Sequence, residues 1–206
     1  MSMPEKESIQ CPRCGSEVEL TLWQSINTDM DFAIPDIISG KLFDVTCPDC
    51  GQQIRVDYTM LFNDMIHQVM IQYLPKDEIE EISLSGFMMR RIVARARVVT
   101  SQASLSEKVA IFNAGLDDRI VELLKVFIVK DASDRFGWRG VDDIHCYPGD
   151  DELTFDLRIG DEFKHTVIPL KVYHGLETKY GNKIAESEEE MVIDYDWAMR
   201  FLDSLN

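Results

Sequence analysis

Cys11-Pro12-Arg13-Cys14-Gly15 and Cys47-Pro48-Asp49-Cys50-Gly51 carry one five-residue chemistry twice in a 206-residue chain. Two cysteines three positions apart on a tight turn point both sulfurs at one ion, and two such turns make a four-thiolate tetrahedral site. Pro12 and Pro48 fix φ between the ligands, and Gly15 and Gly51 follow the second cysteine, where φ is often positive. Disulfides would need an oxidising compartment. A redox Cys-x-x-Cys belongs in a βαβ setting that neither copy has. Spacing favours one structural zinc ion on Cys11, Cys14, Cys47 and Cys50 and leaves iron open. A closed set of four thiolates offers no position for water or substrate.

Length and composition set the frame. The chain is long enough for one large or two small domains, and 45% hydrophobic with 28% charged residues fits a soluble globular protein. The formal net charge of −16 speaks against nucleic acid and against an anionic membrane surface, both of which select clustered Lys and Arg. No apolar run is long enough for a membrane helix, and residues 1–7 lack the basic start and apolar core of a signal peptide. Free Cys146 beside a thiolate cluster points to the reducing cytoplasm.

Periodicity orders the remainder. Residues 1–9 read as a mobile polar start. Val18, Leu20 and Leu22 alternate with polar neighbours as one strand, and Ile54, Val56, Tyr58 and Met60 as another. Between them, residues 25–42 form an insert with a short helix running from Pro35 to Gly40, packed over the ribbon. Residues 61–74 are compatible with a helix and slightly favour a hairpin turning at Asn63-Asp64. Asp77 and Glu80 resemble a capping box, and residues 95–100 a strand. Ser104 and Glu107 cap a helix that Gly115 ends, and Leu116, Ile120, Leu123, Leu124 and Phe127 repeat at helical spacing behind it, giving a helical hairpin. Leu153, Phe155, Leu157 and Ile159 alternate as a strand, Gly160-Asp161 turns into another, and Trp197, Phe201 and Leu205 stripe a last helix.

The paired cysteine motifs, with Ser25-Ile26-Asn27, the 35–42 insert, Glu107-Lys108 and Leu116-Asp117-Asp118-Arg119, resemble the bacterial and archaeal CpXC domain family over residues 9–133. The resemblance implies a zinc-ribbon-like start fused to a further α+β portion, with the four cysteines as its named feature. It implies no activity.

Other candidate chemistry is weak. His67, His145, His165 and His174 show no metal-binding helical spacing, and His145-Cys146 in a strand face opposite ways. Arg90, Arg91, Arg95 and Arg97 form a basic cluster that reads as a solvated face. Asp142, Asp143, Asp150, Asp151 and Glu152 lack calcium-loop spacing. The expected protein is α+β: a zinc-ribbon-like unit over 1–74, a strand plus helical hairpin over 75–134, and a C-terminal α+β portion over 135–206. The expected role is a non-enzymatic interaction or adaptor module with a protein partner. The alternative is an enzyme with its site between ribbon and C-terminal portion, drawing on Cys146 and a histidine. Nucleic-acid binding ranks last, and no membrane partner is expected.

Overall fold

A computed structural model describes residues 2–28, 33–75, 95–137, 140–187 and 190–205. The architecture is α+β, and the chain divides into two units, Met1–Val109 and Ala110–Asn206. No described helix is long and apolar enough to cross a membrane.

The first unit is built on a five-stranded mixed sheet. Its strands are β1 (Met3–Gln10), β2 (Glu17–Asn27), β5 (Met60–Asp64), β6 (Val69–Tyr73) and β7 (Arg95–Val99), in the order β1-β2-β5-β6-β7. All eight residues of β1 pair antiparallel with β2, from Gln10 opposite Glu17 to Met3 opposite Ser25, with an irregularity between Met3 and Pro4. From Met3 onward the expected mobile start is therefore a strand. The sequence hid this because β1 buries no apolar face. It is an exposed edge strand held by backbone pairing, with Pro4 where an edge tolerates it and Ser8 Oγ donating to Glu17 at 2.7 Å.

Ser25–Asn27 of β2 pairs parallel with Leu61–Asn63 of β5. Asn63 Nδ2 donates to Asn27 Oδ1 at 3.0 Å, so the Ser-Ile-Asn stretch sets this register. Parallel neighbours need a crossover. Here it contains α1 (Ala33–Ile38), a 3₁₀ turn (Lys41–Phe43) and the short hairpin of β3 (Asp44–Thr46) and β4 (Gln53–Arg55). The helix of the insert begins before Pro35, and Ile37 and Phe43 are fully buried. The Ile37 carbonyl accepts from Ser106 Oγ at 2.7 Å, which ties the insert to α2 (Gln102–Asn113).

The expected continuous strand from Ile54 to Met60 is split. After β4 the Val56 N–H donates to Phe43 O at 2.9 Å, and the chain re-enters sheet pairing only at Met60. The hairpin expected over 61–74 is present, but it turns at 65–68 and not at Asn63-Asp64, which are paired residues at the end of β5. Asp64 organises that turn by accepting from the Ile66 and His67 N–H groups. β6 is buried on both faces, as a central strand should be. The capping box at Asp77 and Glu80 lies outside the described residues.

α2 starts one turn earlier than the sequence suggested. Ser101 Oγ accepts from the Ser104 N–H at 3.1 Å, so Ser101 takes the N-cap role. At the other end Leu116 N–H bonds Ile111 O and Gly115 N–H bonds Phe112 O, with Gly115 at φ 70°. That is a Schellman stop. Asp117 then caps α3 (Asp118–Phe136) by accepting from Arg119 N–H at 2.9 Å.

In the second unit, β8 (Asp143–Pro148), β9 (Glu152–Ile159) and β10 (Glu162–Pro169) form an antiparallel sheet of order β10-β9-β8, with the tight turn at Gly160-Asp161 as expected. Leu153, Phe155 and Leu157 face inward with Ile144 and Cys146. They share one core with α3, α4 (Leu170–Glu186) and α5 (Tyr195–Asp203), whose Trp197 and Phe201 stack at 5.4 Å.

Candidate metal centre

Each cysteine pair sits on the turn of a hairpin, and the two hairpins are built alike. Gly15 N–H donates to Cys11 O at 2.9 Å and Cys11 N–H to Ser16 O at 2.8 Å. Gly51 N–H donates to Cys47 O at 3.0 Å and Cys47 N–H to Gln52 O at 2.9 Å. Two residues outside each turn an apolar pair faces across the strands: Ile9 opposite Val18, and Val45 opposite Ile54. These four side chains pack with Cys11, Cys47 and Cys50 in one small core. The repeat thus extends over residues 9–18 and 45–54 as a structural unit, further than the cysteine motifs themselves.

The four Sγ atoms lie within 4.8 Å of one another. Cys11 and Cys50 stand 3.6 Å apart, as do Cys14 and Cys47, so the closest approaches run from one hairpin to the other. Four sulfurs about 2.3 Å from one ion at tetrahedral corners stand about 3.8 Å apart. The spacing fits a single tetrahedral ion, and it is far beyond a disulfide bond, about 2.05 Å. All four cysteines are free thiols; Cys11 and Cys47 are buried, while Cys14 is exposed.

The surroundings act on two of the sulfurs in opposite directions. The Ser16 hydroxyl and then the Ser16 N–H bond Cys14 and hold its pKa down to about 6. At Cys50 the Gln52 N–H pulls the same way. Lost hydration and the neighbouring thiols Cys14, Cys11 and Cys47 outweigh it and push that pKa up to about 12. Four thiols this close resist ionising together, and a divalent cation is the group that removes the conflict. Ser16 and Gln52 occupy equivalent places two residues after the second cysteine.

A cross-strand ion pair braces the second hairpin. Arg55 Nε and Nη2 reach Asp44 Oδ1 and Oδ2 at 2.8 and 2.9 Å, and this bidentate contact holds the Asp44 carboxyl below the usual carboxylate range. Asp57 is also engaged, accepting from Gln102 Nε2 at 3.0 Å and from the Tyr73 hydroxyl.

The remaining sequence candidates are dispersed. Cys146 is fully buried in the core of the second unit, while His145 turns to the other face toward Asp143 Oδ2 at 3.1 Å. No Cys–His dyad forms at that pair. Each histidine keeps a carboxylate beside it: His67 with Asp64, His165 with Asp156, His174 with Glu177. Arg97 is 1% exposed and donates to Ala96 O at 2.8 Å, so the solvated-face reading fails for it. Burying a guanidinium requires hydrogen bonds that a basic patch would not supply, and four of the five residues of β7 are buried, Arg97 among them. Arg90 and Arg91 lie outside the described residues. Asp142 is a turn cap, accepting from Gly160 N–H at 2.7 Å.

No curated protein and no solved structure matches the chain. The sequence model of the CpXC protein family matches residues 9–125, which spans both hairpins, the crossover between them and the start of α3. With its paired Cys-Pro-x-Cys turns gathered at one point, the chain belongs to the CpXC family.

Proposed function

We propose that Cys11, Cys14, Cys47 and Cys50 hold one zinc ion as thiolates, that the ion is structural, and that the chain acts in the cytoplasm as a non-enzymatic protein-interaction or adaptor module. The observation that carries this reading is the closed set of four sulfurs at near-tetrahedral separations. Such a set leaves no coordination position for substrate. It also ties strands that own little core, β3 and β4 with three residues each, to the β1–β2 arm of the larger sheet. A metal that fixes them is the usual solution for a unit this small.

The fixed turns present exposed tips. Arg13 and Asp49 hold equivalent places and give the two tips opposite charge. Acidic Glu17 and Glu19 beside them favour a protein surface over a phosphate backbone. Thiolates kept for a metal suit a reducing compartment.

Two measurements test the reading. Elemental analysis of gently purified protein is expected to give one zinc per chain, and stoichiometric iron would overturn the choice of metal. Capture from cell extract is expected to retain one protein stoichiometrically, with loss on Cys47→Ser and on Arg13→Glu. Capture untouched by both variants would overturn the role given to the hairpin tips.

A further inference from the structure

Within the second unit, α3, α4 and α5 enclose a groove of about 610 Å³. That volume lies in the range of pockets that bury small molecules, roughly 300–1,000 Å³. The floor is apolar. Phe127 stacks on Tyr180 with centroids 6.4 Å apart, and Met199 from α5 remains 39% exposed over the opening. An unbranched thioether left in water above an aromatic floor is a surface suited to an apolar guest.

The rim has the opposite sign to the chain as a whole. Lys130 of α3 and Lys179 and Lys183 of α4 all line this groove, in a chain of net charge −16. Lys179 and Lys183 stand one turn apart on a helix, where like charges repel. Among the described residues neither Lys130 nor Lys183 has a carboxylate partner, and the Lys179 ammonium lies 4.8 Å over the Tyr180 ring. Asp134 and Asp203 share the rim and leave one positive charge in excess. The Ser133 and Tyr195 hydroxyls add donors.

We infer that this groove binds a small amphiphilic anion, an acyl or aromatic body bearing a carboxylate or phosphate, with the lysines on the anionic head and the Phe127–Tyr180 floor under the apolar part. The site is independent of the zinc and adaptor reading, since every residue in it belongs to the second unit.

The test is isothermal titration of the full-length chain with decanoate, decanol and decyltrimethylammonium, each below its micelle-forming concentration. Decanoate is expected to bind, with the neutral and cationic chains at least about tenfold weaker. Lys179→Glu with Lys183→Glu is expected to weaken decanoate by a similar factor, and Met199→Trp, which fills the opening, to abolish it. Metal content serves as the control for folding of the first unit. Should the double variant not fold, Lys183→Gln carries the same test at a smaller factor. Equal affinity for the three probes, absence of decanoate binding, or an unaffected lysine variant overturns the inference. So does binding of an acidic amphipathic peptide without binding of decanoate.

Discussion

Gly15→Ala and Gly51→Ala isolate what the hairpin turns contribute to metal binding. The two glycines take φ of 76° and 70°, and a Cβ built on either meets nothing within 4 Å. An alanine therefore suffers no clash, and its penalty is the left-handed backbone alone, about 1–2 kcal/mol. Without metal the turns are free to relax, so the strain enters when the sulfurs close on the ion. The expected loss of affinity is about 5- to 30-fold per variant, since about 1.4 kcal/mol is tenfold. Competition against cobalt(II), whose four-thiolate complexes absorb visible light, reads that loss directly. The two variants should agree within about 1 kcal/mol, because the hydrogen bonds around the two turns correspond one for one. A loss beyond about 4 kcal/mol in either, or a difference between them larger than the strain itself, would refute the account of two equivalent turns.

Three further outcomes follow from named contacts. Tyr173→Phe removes the hydroxyl that accepts the Asp117 N–H at 2.7 Å at the start of α3; losing this part-buried hydrogen bond costs about 0.5–1.5 kcal/mol, read as a lower midpoint in urea. Gly175→Ala, in α4 with open space around its Cβ, should raise stability by about 0.5–1 kcal/mol in the same assay. Asp44 has its pKa depressed by Arg55, so the pair contributes above the ordinary carboxylate pKa and the contribution fades as pH falls through the lowered value. Both side chains are about half exposed, which limits the effect to about 0.2–1 kcal/mol, and Arg55→Ala should flatten that part of the acid limb of the stability profile.

How far the sequence speaks depends on what kind of signal each element leaves. The metal cluster is legible because ligand identity is local: four cysteines at two fixed spacings state their chemistry without reference to the rest of the chain. The β9–β10 hairpin is legible for a similar reason, with strict alternation on one side of Gly160-Asp161. β1 leaves no signal, since a strand exposed at every side chain but half-buried Ile9 has no period to read. α3 misleads differently. Its apolar repeat predicts one buried face, yet Ile120–Val126 is buried throughout, Glu122 and Lys125 included, because these two pair at 3.1 Å and travel inward together.

The stretch from Ile54 to Met60 shows where periodicity stops being informative. Its alternation holds as far as which residues are inside, but alternation reports a buried face and not the partner that covers it. Ile54 belongs to a two-stranded sheet with β3, whereas Met60 begins a strand between β2 and β6. The change of partner falls at Val56, whose N–H turns back to Phe43. What reads in sequence as one ribbon is therefore two hairpins of different standing. The first is an arm of the five-stranded sheet. The second rides in the crossover between β2 and β5, with three-residue strands, one bidentate ion pair and four sulfurs to keep it in place. Removing the metal should accordingly release the second hairpin before the first, and hydrogen exchange at Val45 and Ile54 should accelerate while the Ile9–Val18 pair stays protected. Equal acceleration at both pairs would mean that the ion holds the sheet as well as the crossover.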